Sequence, residues 1–188
     1  MFDFASKLVV VSGPSGAGKD TVVRGVLDKD SSISLAVSAT TRSVRGTEQD
    51  GVDYYFLTEE EFLRKIENDE FIEHAQYGSN YYGTLKSDVQ MRIADGKIVV
   101  LVIEVQGAEN IRKMYPQSHS VFIMPPSVEV LENRLRNRKT ETEEAIQKRL
   151  AIAKGEIAKS VDYDFVVIND DLSVAVDNLH NIIKENVK

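Results

Sequence analysis

The feature that most constrains the fold is a glycine-rich heptapeptide near the amino terminus, GPSGAGK at residues 13–19. It follows the β-branched run KLVVVS at residues 7–12 and opens a segment, residues 19–29, whose apolar residues have helical spacing. Glycines let the backbone turn so that successive N–H groups point at one anion, and the following helix adds its positive end. This spacing is typical of a phosphate-binding loop, in which the lysine supplies a mobile positive charge. We therefore predict a strand, a phosphate loop and a helix, in that order.

The residue after the loop lysine departs from the general motif. That position usually holds a Ser or Thr that binds Mg²⁺, but here it is Asp20, followed by Thr21. Asp20 and Thr21 are candidate Mg²⁺ ligands, because Mg²⁺ prefers oxygen ligands and keeps several waters, so that the phosphates of a bound nucleotide and water would supply most of its shell. An acidic residue at a helix amino terminus is also favoured by the helix dipole, and that alternative stays open. The predicted nucleoside triphosphate-binding residues of this segment are Gly13, Pro14, Ser15, Gly16, Ala17, Gly18, Lys19, Asp20 and Thr21.

Further apolar runs predict additional buried strands at residues 98–103, 121–123 and 165–168. Segments of helical length, such as residues 86–94 and 172–184, separate them. Buried strands that alternate with helices are typical of an α/β fold with a doubly wound parallel sheet. We expect that fold class here.

Two segments interrupt the alternation. One is polar and rich in tyrosine, which predicts a small mixed lobe, and the other is rich in Arg and Lys around the stretch KTETEE, which predicts a helical hairpin. At 188 residues the chain has the ordinary size of one domain. We therefore expect a single domain, 1–188, with a core at 1–34, 85–126 and 151–188, an inserted lobe at 35–84 and a lid at 127–150.

Composition and charge argue against several classes of protein. A net charge of −7 and a pI of about 5.1 argue against binding to nucleic acid through a broad basic face. There is no cysteine, so a disulfide framework, a thiolate metal site and a Cys nucleophile are excluded. The start MFDFASK lacks the pattern of a signal peptide, and no apolar run approaches the roughly 20 residues of a membrane helix. We expect a cytoplasmic protein without nucleic-acid or membrane partners, and its oligomeric state stays open.

Several motifs in register resemble the guanylate kinase family of nucleoside monophosphate kinases. The most specific is SATTRSVRGTEQDGVDYYF at residues 38–56, which is similar to the family's acceptor-binding segment. The resemblance implies a P-loop NTPase-type fold with a GMP-binding lobe and a helical lid. It also implies transfer of the γ-phosphate of ATP to GMP, and to dGMP, with Mg²⁺ as cofactor. The other matching motifs are FIEHAQYGSNYYGT at 71–84, VIEVQGA at 102–108, MPPS at 124–127, RLRNRKTETEEAIQKRL at 134–150 and VVIND at 166–170.

The resemblance assigns the phosphate of GMP to Arg42, Arg45, Tyr54 and Tyr82. Guanidinium forks and phenolic hydroxyls suit a phosphate dianion, since they give short charge-assisted hydrogen bonds without adding negative charge. Without the resemblance, solvated surface arginines and a small tyrosine core would explain the same residues.

The resemblance assigns the guanine base to Ser38, Glu73 and Thr84. A carboxylate can accept from both N1–H and the 2-amino group of guanine, whereas adenine has no such pair of donors, so Glu73 is the informative residue. A salt bridge is the alternative explanation for Glu73. Where relatives often have two acids at the end of a strand, this chain has Val102 and Glu104, which makes Glu104 a candidate for contacts to GMP or to Mg²⁺-bound water.

The resemblance assigns a second group of arginines to the ATP phosphates and to the group in transfer. Phosphoryl transfer spreads charge over equatorial oxygens, so positioned Lys, Arg and Mg²⁺ stabilise the transition state and no general base is needed. An ordinary solvated helix face is the alternative for these arginines. Asn169 matches a residue near the ATP adenine. The predicted catalytic residues are Lys19, Arg42, Arg134, Arg138 and Arg149.

Two other functions compete with this hypothesis. A kinase of the same fold that acts on a phosphorylated ribose would have no use for a guanine-binding carboxylate, so Glu73 and Ser38 argue against it. A non-catalytic interaction module related to guanylate kinases typically lacks the phosphate loop, whereas Lys19 is present here.

Overall fold

The structure is a computed structural model that describes residues 4–136 and 142–187, without the side chain of Tyr77. Strands and helices alternate along most of the chain. The strands are β1 (Leu8–Ser12), β2 (Ile33–Leu35), β3 (Ser38–Thr40), β4 (Tyr55–Phe56), β5 (Phe71–Tyr77), β6 (Asn80–Leu85), β7 (Ile98–Val102), β8 (His119–Met124) and β9 (Phe165–Ile168). The helices are α1 (Lys19–Lys29), α2 (Glu59–Glu67), α3 (Lys86–Ala94), α4 (Val105–Met114), α5 (Val128–Arg136), α6 (Glu143–Ala158) and α7 (Leu172–Asn186).

The main sheet has five parallel strands in the order β2-β7-β1-β8-β9. Its central strand β1 is buried along its whole length, which is why its sequence is apolar on both faces. Val9 and Val11 pack with α1 and α7, whereas Leu8 and Val10 pack with α3 and α4. Helices therefore cover both faces, and the predicted α/β fold with a parallel sheet is confirmed.

A second sheet occupies the segment between β2 and α3, with strand order β4-β3-β6-β5. β3 and β5 both pair antiparallel with β6, and β4 pairs parallel with β3. Helix α2 begins at a capping box, in which the Thr58 hydroxyl accepts from the N–H of Glu61 and the Glu61 carboxylate accepts from the N–H of Thr58. Phe62 of α2 is fully buried against Phe71 and Leu85, so the second sheet has its own small core.

Helices α5 and α6 pack against each other around a separate apolar cluster that includes Leu131, Leu135, Ile146 and Leu150. α6 continues to Ala158, eight residues beyond the predicted lid boundary. Arg138 lies outside the described residues, so its predicted place in the lid stays a prediction, as does the division of the chain into core, lobe and lid. In residues 4–136 and 142–187, no helix is both long enough and apolar enough to cross a lipid bilayer.

Candidate functional site

The loop between β1 and α1 has the backbone of an anion-binding turn. Gly13 has φ 143°, and a Cβ atom there would lie 2.2 Å from the carbonyl oxygen of Ile123 in β8. Gly18 has φ 90°, and a Cβ atom there would lie 2.4 Å from Nδ2 of Asn169. Side chains at either position would collide with neighbouring groups, so the glycines are required by the close approach of the loop to β8 and to the residue that follows β9.

The ammonium group of Lys19 lies over this loop. Its Nζ donates to the carbonyl oxygen of Gly13 at 2.6 Å and to that of Pro14 at 3.3 Å. Asp20 and Thr21 are exposed in the first turn of α1, beside the loop. The Lys19 ammonium, the amino terminus of α1 and two side chains with oxygen atoms are thus adjacent. This arrangement is suited to binding phosphates together with a divalent cation.

Two predicted donor-site residues brace the loop from other elements. Nη2 of Arg134, in α5, donates to the carbonyl oxygen of Asn169 at 2.9 Å, and Nη1 donates to that of Ala17 at 3.4 Å. Nδ2 of Asn169, which follows β9, donates to the same Ala17 oxygen at 2.7 Å. Arg149 lies on α6 and is partly buried. The structure therefore joins Arg134 and Asn169 to the phosphate loop.

The three residues predicted to recognise guanine form one row across the second sheet. Ser38 in β3 is paired with Thr84 in β6, and Thr84 is paired with Glu73 in β5. Directly opposite residues share a face of a sheet, so their side chains form a continuous polar strip. The Thr84 hydroxyl donates to Oε1 of Glu73 at 3.0 Å.

Glu73 is partly buried, and its carboxyl group is largely desolvated. Burial raises its pKa to about 7, although the hydrogen bonds from Thr84 act in the opposite direction. Helix α4 passes close to it, since a Cβ atom on Gly107 would lie 3.2 Å from Oε2. A buried carboxylate with few donors is poised to accept from a ligand.

Three of the four residues predicted for the acceptor phosphate are in contact. The guanidinium carbon of Arg42 lies 5.0 Å from the centre of the Tyr54 ring, and that ring lies 6.4 Å from the ring of Tyr82. Arg42 is buried, whereas Arg45 is exposed on the same loop. The structure thus assembles a cationic group with two phenols, next to the row of Ser38, Thr84 and Glu73.

Arg42 has a partner that was not predicted from the sequence. Nη1 and Nη2 of Arg42 donate to Oε2 and Oε1 of Glu48, both at 2.8 Å, and Nη1 also donates to the carbonyl oxygen of Ser43 at 2.8 Å. The Arg42 guanidinium and then the N–H of Arg45 lower the pKa of Glu48 to about 2. This pairing uses the two Nη atoms of the guanidinium, so Nε takes no part in it. The sequence signal for this pairing was Glu48 itself, an acidic residue that lies three residues after Arg45 in the segment at 38–56.

Glu104 lies two residues beyond the end of β7, where it is exposed at the start of α4. β7 pairs with β1, and the phosphate loop follows β1 directly, so Glu104 and the loop occupy the same carboxyl edge of the main sheet. In the described portion of the chain, no group of three or more His, Cys, Asp and Glu residues could hold a metal ion.

The sequence is similar to known proteins over nearly its whole length. The profile of one family, described as "Guanylate kinase", matches residues 5–186. A guanylate kinase from Prochlorococcus marinus subsp. pastoris is 49% identical over 178 residues, which cover 95% of this chain and 97% of that protein. A guanylate kinase from Synechocystis sp. is 48% identical over 179 residues, which cover 95% of this chain and 94% of that protein.

Comparison with solved structures gives the same family. The crystal structure of guanylate kinase from Anaplasma phagocytophilum superposes with a TM-score of 0.75 at 37% identity, covering 96% of this chain and 86% of that one. A shikimate kinase from Bacteroides thetaiotaomicron superposes with a TM-score of 0.52 at 16% identity, over 94% of this chain and 98% of that one. The second similarity extends to the fold alone.

Proposed function

This chain belongs to the guanylate kinase family, and on that premise we infer that it transfers the γ-phosphate of ATP to GMP, giving ADP and GDP in purine nucleotide metabolism. The observation that carries this inference is the presence of two separate clusters of candidate ligand-binding residues. One is the phosphate loop with Lys19, and the other is the polar row of Ser38, Thr84 and Glu73 beside Arg42. We propose dGMP as a further acceptor and the cytoplasm as the location.

On the donor side, we assign the triphosphate of ATP to the loop N–H groups and to Lys19. We propose Arg134 as a catalytic arginine, and its hydrogen bonds to the carbonyl oxygens of Ala17 and Asn169, which hold it against the loop, support this role. We keep Arg138 and Arg149 as the further arginines that close on the transferring group. Asn169 supports the loop through its hydrogen bond to the carbonyl oxygen of Ala17, and we propose that it lies near the adenine of ATP.

We propose that Mg²⁺ is held mainly by the ATP phosphates and water. The side chains beside the loop fit such an ion, since Asp20 and Thr21 are exposed and offer oxygen ligands. Mg²⁺ seldom requires that all of its ligands come from the protein. When bound, the ion would neutralise charge on the β- and γ-phosphates. Glu104, at the same sheet edge, is the carboxylate that we propose for contacts to GMP or to metal-bound water.

On the acceptor side, we assign the GMP phosphate to Arg42, Arg45, Tyr54 and Tyr82. No covalent step is required of the protein, because the attacking atom is an oxygen of the GMP phosphate itself. The arginines and Lys19 then stabilise the charge on the transferring group. Ser38, Thr84 and Glu73 hold the base, so that GMP is anchored at both ends within the 35–84 lobe.

A coupled assay of ADP release, with GMP, dGMP, AMP, UMP and CMP as acceptors, tests this function. We expect turnover with GMP and dGMP and a kcat/KM at least about 10²-fold lower with the other three, because a base without the matching donors leaves the buried Glu73 unpaired. Release of ADP that does not depend on any nucleoside monophosphate, or equal use of AMP, contradicts the proposal.

The pairing of Arg42 with Glu48 leads to a prediction about GMP affinity. We expect Glu48→Gln to raise the KM for GMP about tenfold, since an amide can accept at only one atom and no longer fixes both ends of the guanidinium. The KM for ATP should change less than about twofold. The matched control is Glu70→Gln in the same lobe, where Glu70 pairs with Lys65 at the surface. Steady-state kinetics with either substrate varied gives both constants, and an unchanged KM for GMP refutes the positioning role of Glu48.

A further inference from the structure

A buried carboxylate with no part in the proposed mechanism lies in the first turn of α3. The Asp88 side chain is 1% exposed. Its Oδ1 accepts from the Tyr55 hydroxyl at 2.9 Å and from Nη2 of Arg92 at 3.0 Å. Its Oδ2 accepts from the N–H of Val37 at 3.0 Å and from Nε of Arg92 at 2.8 Å. Nη1 of Arg92 also donates to the Ser34 hydroxyl at 2.7 Å, so the buried charge is fully paired.

These residues span both connections between the main sheet and the second sheet. The first connection runs from β2 to β3 and contains Val37, and the second runs from β6 into α3, whose first turn contains Asp88. Ser34 belongs to β2, and Tyr55 belongs to β4 of the second sheet. α3 is fixed to the main sheet through its buried apolar side chains. We name Ser34, Val37, Tyr55, Asp88 and Arg92 the hinge cluster.

The hinge cluster adjoins the acceptor site without being part of it. Val37 immediately precedes Ser38, and Tyr55 immediately follows Tyr54. Consecutive side chains point to opposite sides of a strand. Tyr55 therefore reaches Asp88, whereas Tyr54 contacts Arg42, which we assign to the GMP phosphate.

We propose that the hinge cluster is the pivot that sets the angle of the GMP-binding lobe against the main sheet, with Asp88 as its positioning residue. This inference rests on the proposed function. The residues that we assign to guanine and to the acceptor phosphate lie in the second sheet and its loops. The phosphate loop that we assign to ATP lies at the edge of the main sheet. The angle between the sheets therefore sets the distance between acceptor oxygen and γ-phosphate, and misplacement by about 1 Å can cost about 10²-fold in rate.

The pivot has a kinetic signature that a purely stabilising contact lacks. Its loss misaligns two substrates that still bind, so kcat falls while the dissociation constants of GMP and of an ATP analogue stay constant. A residue that binds GMP directly, such as Arg42, should instead change GMP affinity.

The first test is Tyr55→Phe, which removes one hydroxyl from the cluster. We expect kcat to fall about fivefold or more, with both dissociation constants, measured by calorimetry, within about twofold of the parent. The matched control is Tyr115→Phe, because Tyr115 packs against Phe4 at the end of α4 and is not part of the hinge cluster, so loss of its hydroxyl should leave kcat within about twofold. A parental kcat in Tyr55→Phe overturns the proposal.

The second test separates positioning from stability. Asp88→Asn should lower both the Tm and kcat, since it leaves the Arg92 charge poorly paired in a buried site. Adding Arg92→Met removes that charge and should restore much of the Tm, but kcat should stay low because the Asp88–Arg92 pair is still absent and the bond from Arg92 to Ser34 is lost as well. Recovery of kcat together with the Tm overturns the proposal. A parent protein that fails to phosphorylate GMP contradicts the proposed function instead, so the two failures are distinct.

Discussion

Lys19→Ala should lower kcat/KM by at least about 10²-fold while the protein stays folded, because one well-placed donor to a transition-state oxygen is typically worth that much. In the structure the Lys19 ammonium bonds to the carbonyl oxygens of Gly13 and Pro14, inside the loop that we assign to the ATP phosphates. Arrival of those phosphates gives the ammonium a stronger, charged acceptor. The larger part of the loss should therefore appear in kcat, where the charge on the transferring group is greatest.

The control for this variant lies in the same helix. Lys29→Ala removes a surface ion pair with Asp177 at the other end of α1 and should change kcat/KM less than about twofold. Thermal unfolding of both variants establishes that the helix and the loop remain intact. Near-parental turnover of Lys19→Ala, with an unchanged Tm, means that the loop is not the donor site.

The sequence predicted those parts of the molecule that have a local signal. The order of β1, loop and α1 followed from glycine spacing beside a β-branched run, and the parallel sheet followed from repeated apolar runs. β2 was missed, because it has three residues and Ile33 is the one that is buried. The lid was predicted to end at residue 150, where the matched motif ends, whereas α6 continues to Ala158.

Pairings across the chain could not be predicted, because their meaning depends on the partner. Glu48 is an ordinary polar residue until the fold places it against the guanidinium of Arg42. Asp88 bonds to the N–H of Val37, which is 51 residues away in the chain. The row of Ser38, Thr84 and Glu73 was expected as a set of ligands, but its register across three strands is a property of the folded sheet.

Glu73→Gln should nearly abolish the use of GMP and at the same time stabilise the protein at high pH. The amide offers guanine one acceptor atom where the carboxylate offers two, so we expect kcat/KM for GMP to fall about 10²-fold. Binding of an ATP analogue should change less than about threefold. If KM and kcat for GMP both stay within about threefold of the parent, Glu73 does not bind the base.

The opposite effect on stability follows from the raised pKa of Glu73. Burial moves it from 4.5 to about 7, so the folded protein disfavours the ionised form. For an acid whose pKa is raised on folding, the cost is absent below pH 4.5, grows between pH 4.5 and 7, and is complete above pH 7. A shift of this size corresponds to about 3 kcal/mol. Glu73→Gln should thus raise the Tm at pH 8 by several degrees and leave it nearly unchanged at pH 4.5, whereas the exposed Glu67→Gln in α2 should show no such contrast.

The same titration should control GMP affinity in the parent protein. Guanine donors require the ionised carboxylate, so the dissociation constant for GMP should fall as the pH rises from 5.5 to 8, by up to about tenfold per pH unit below the pKa. The phosphate of GMP also titrates, with a pKa of about 6, and contributes to this dependence. Comparison with Glu73→Gln separates the two, because the phosphate titrates equally in both proteins and the Glu73 component is lost in the variant. Identical pH profiles for the two proteins would mean that the ionisation of Glu73 does not govern binding of the base.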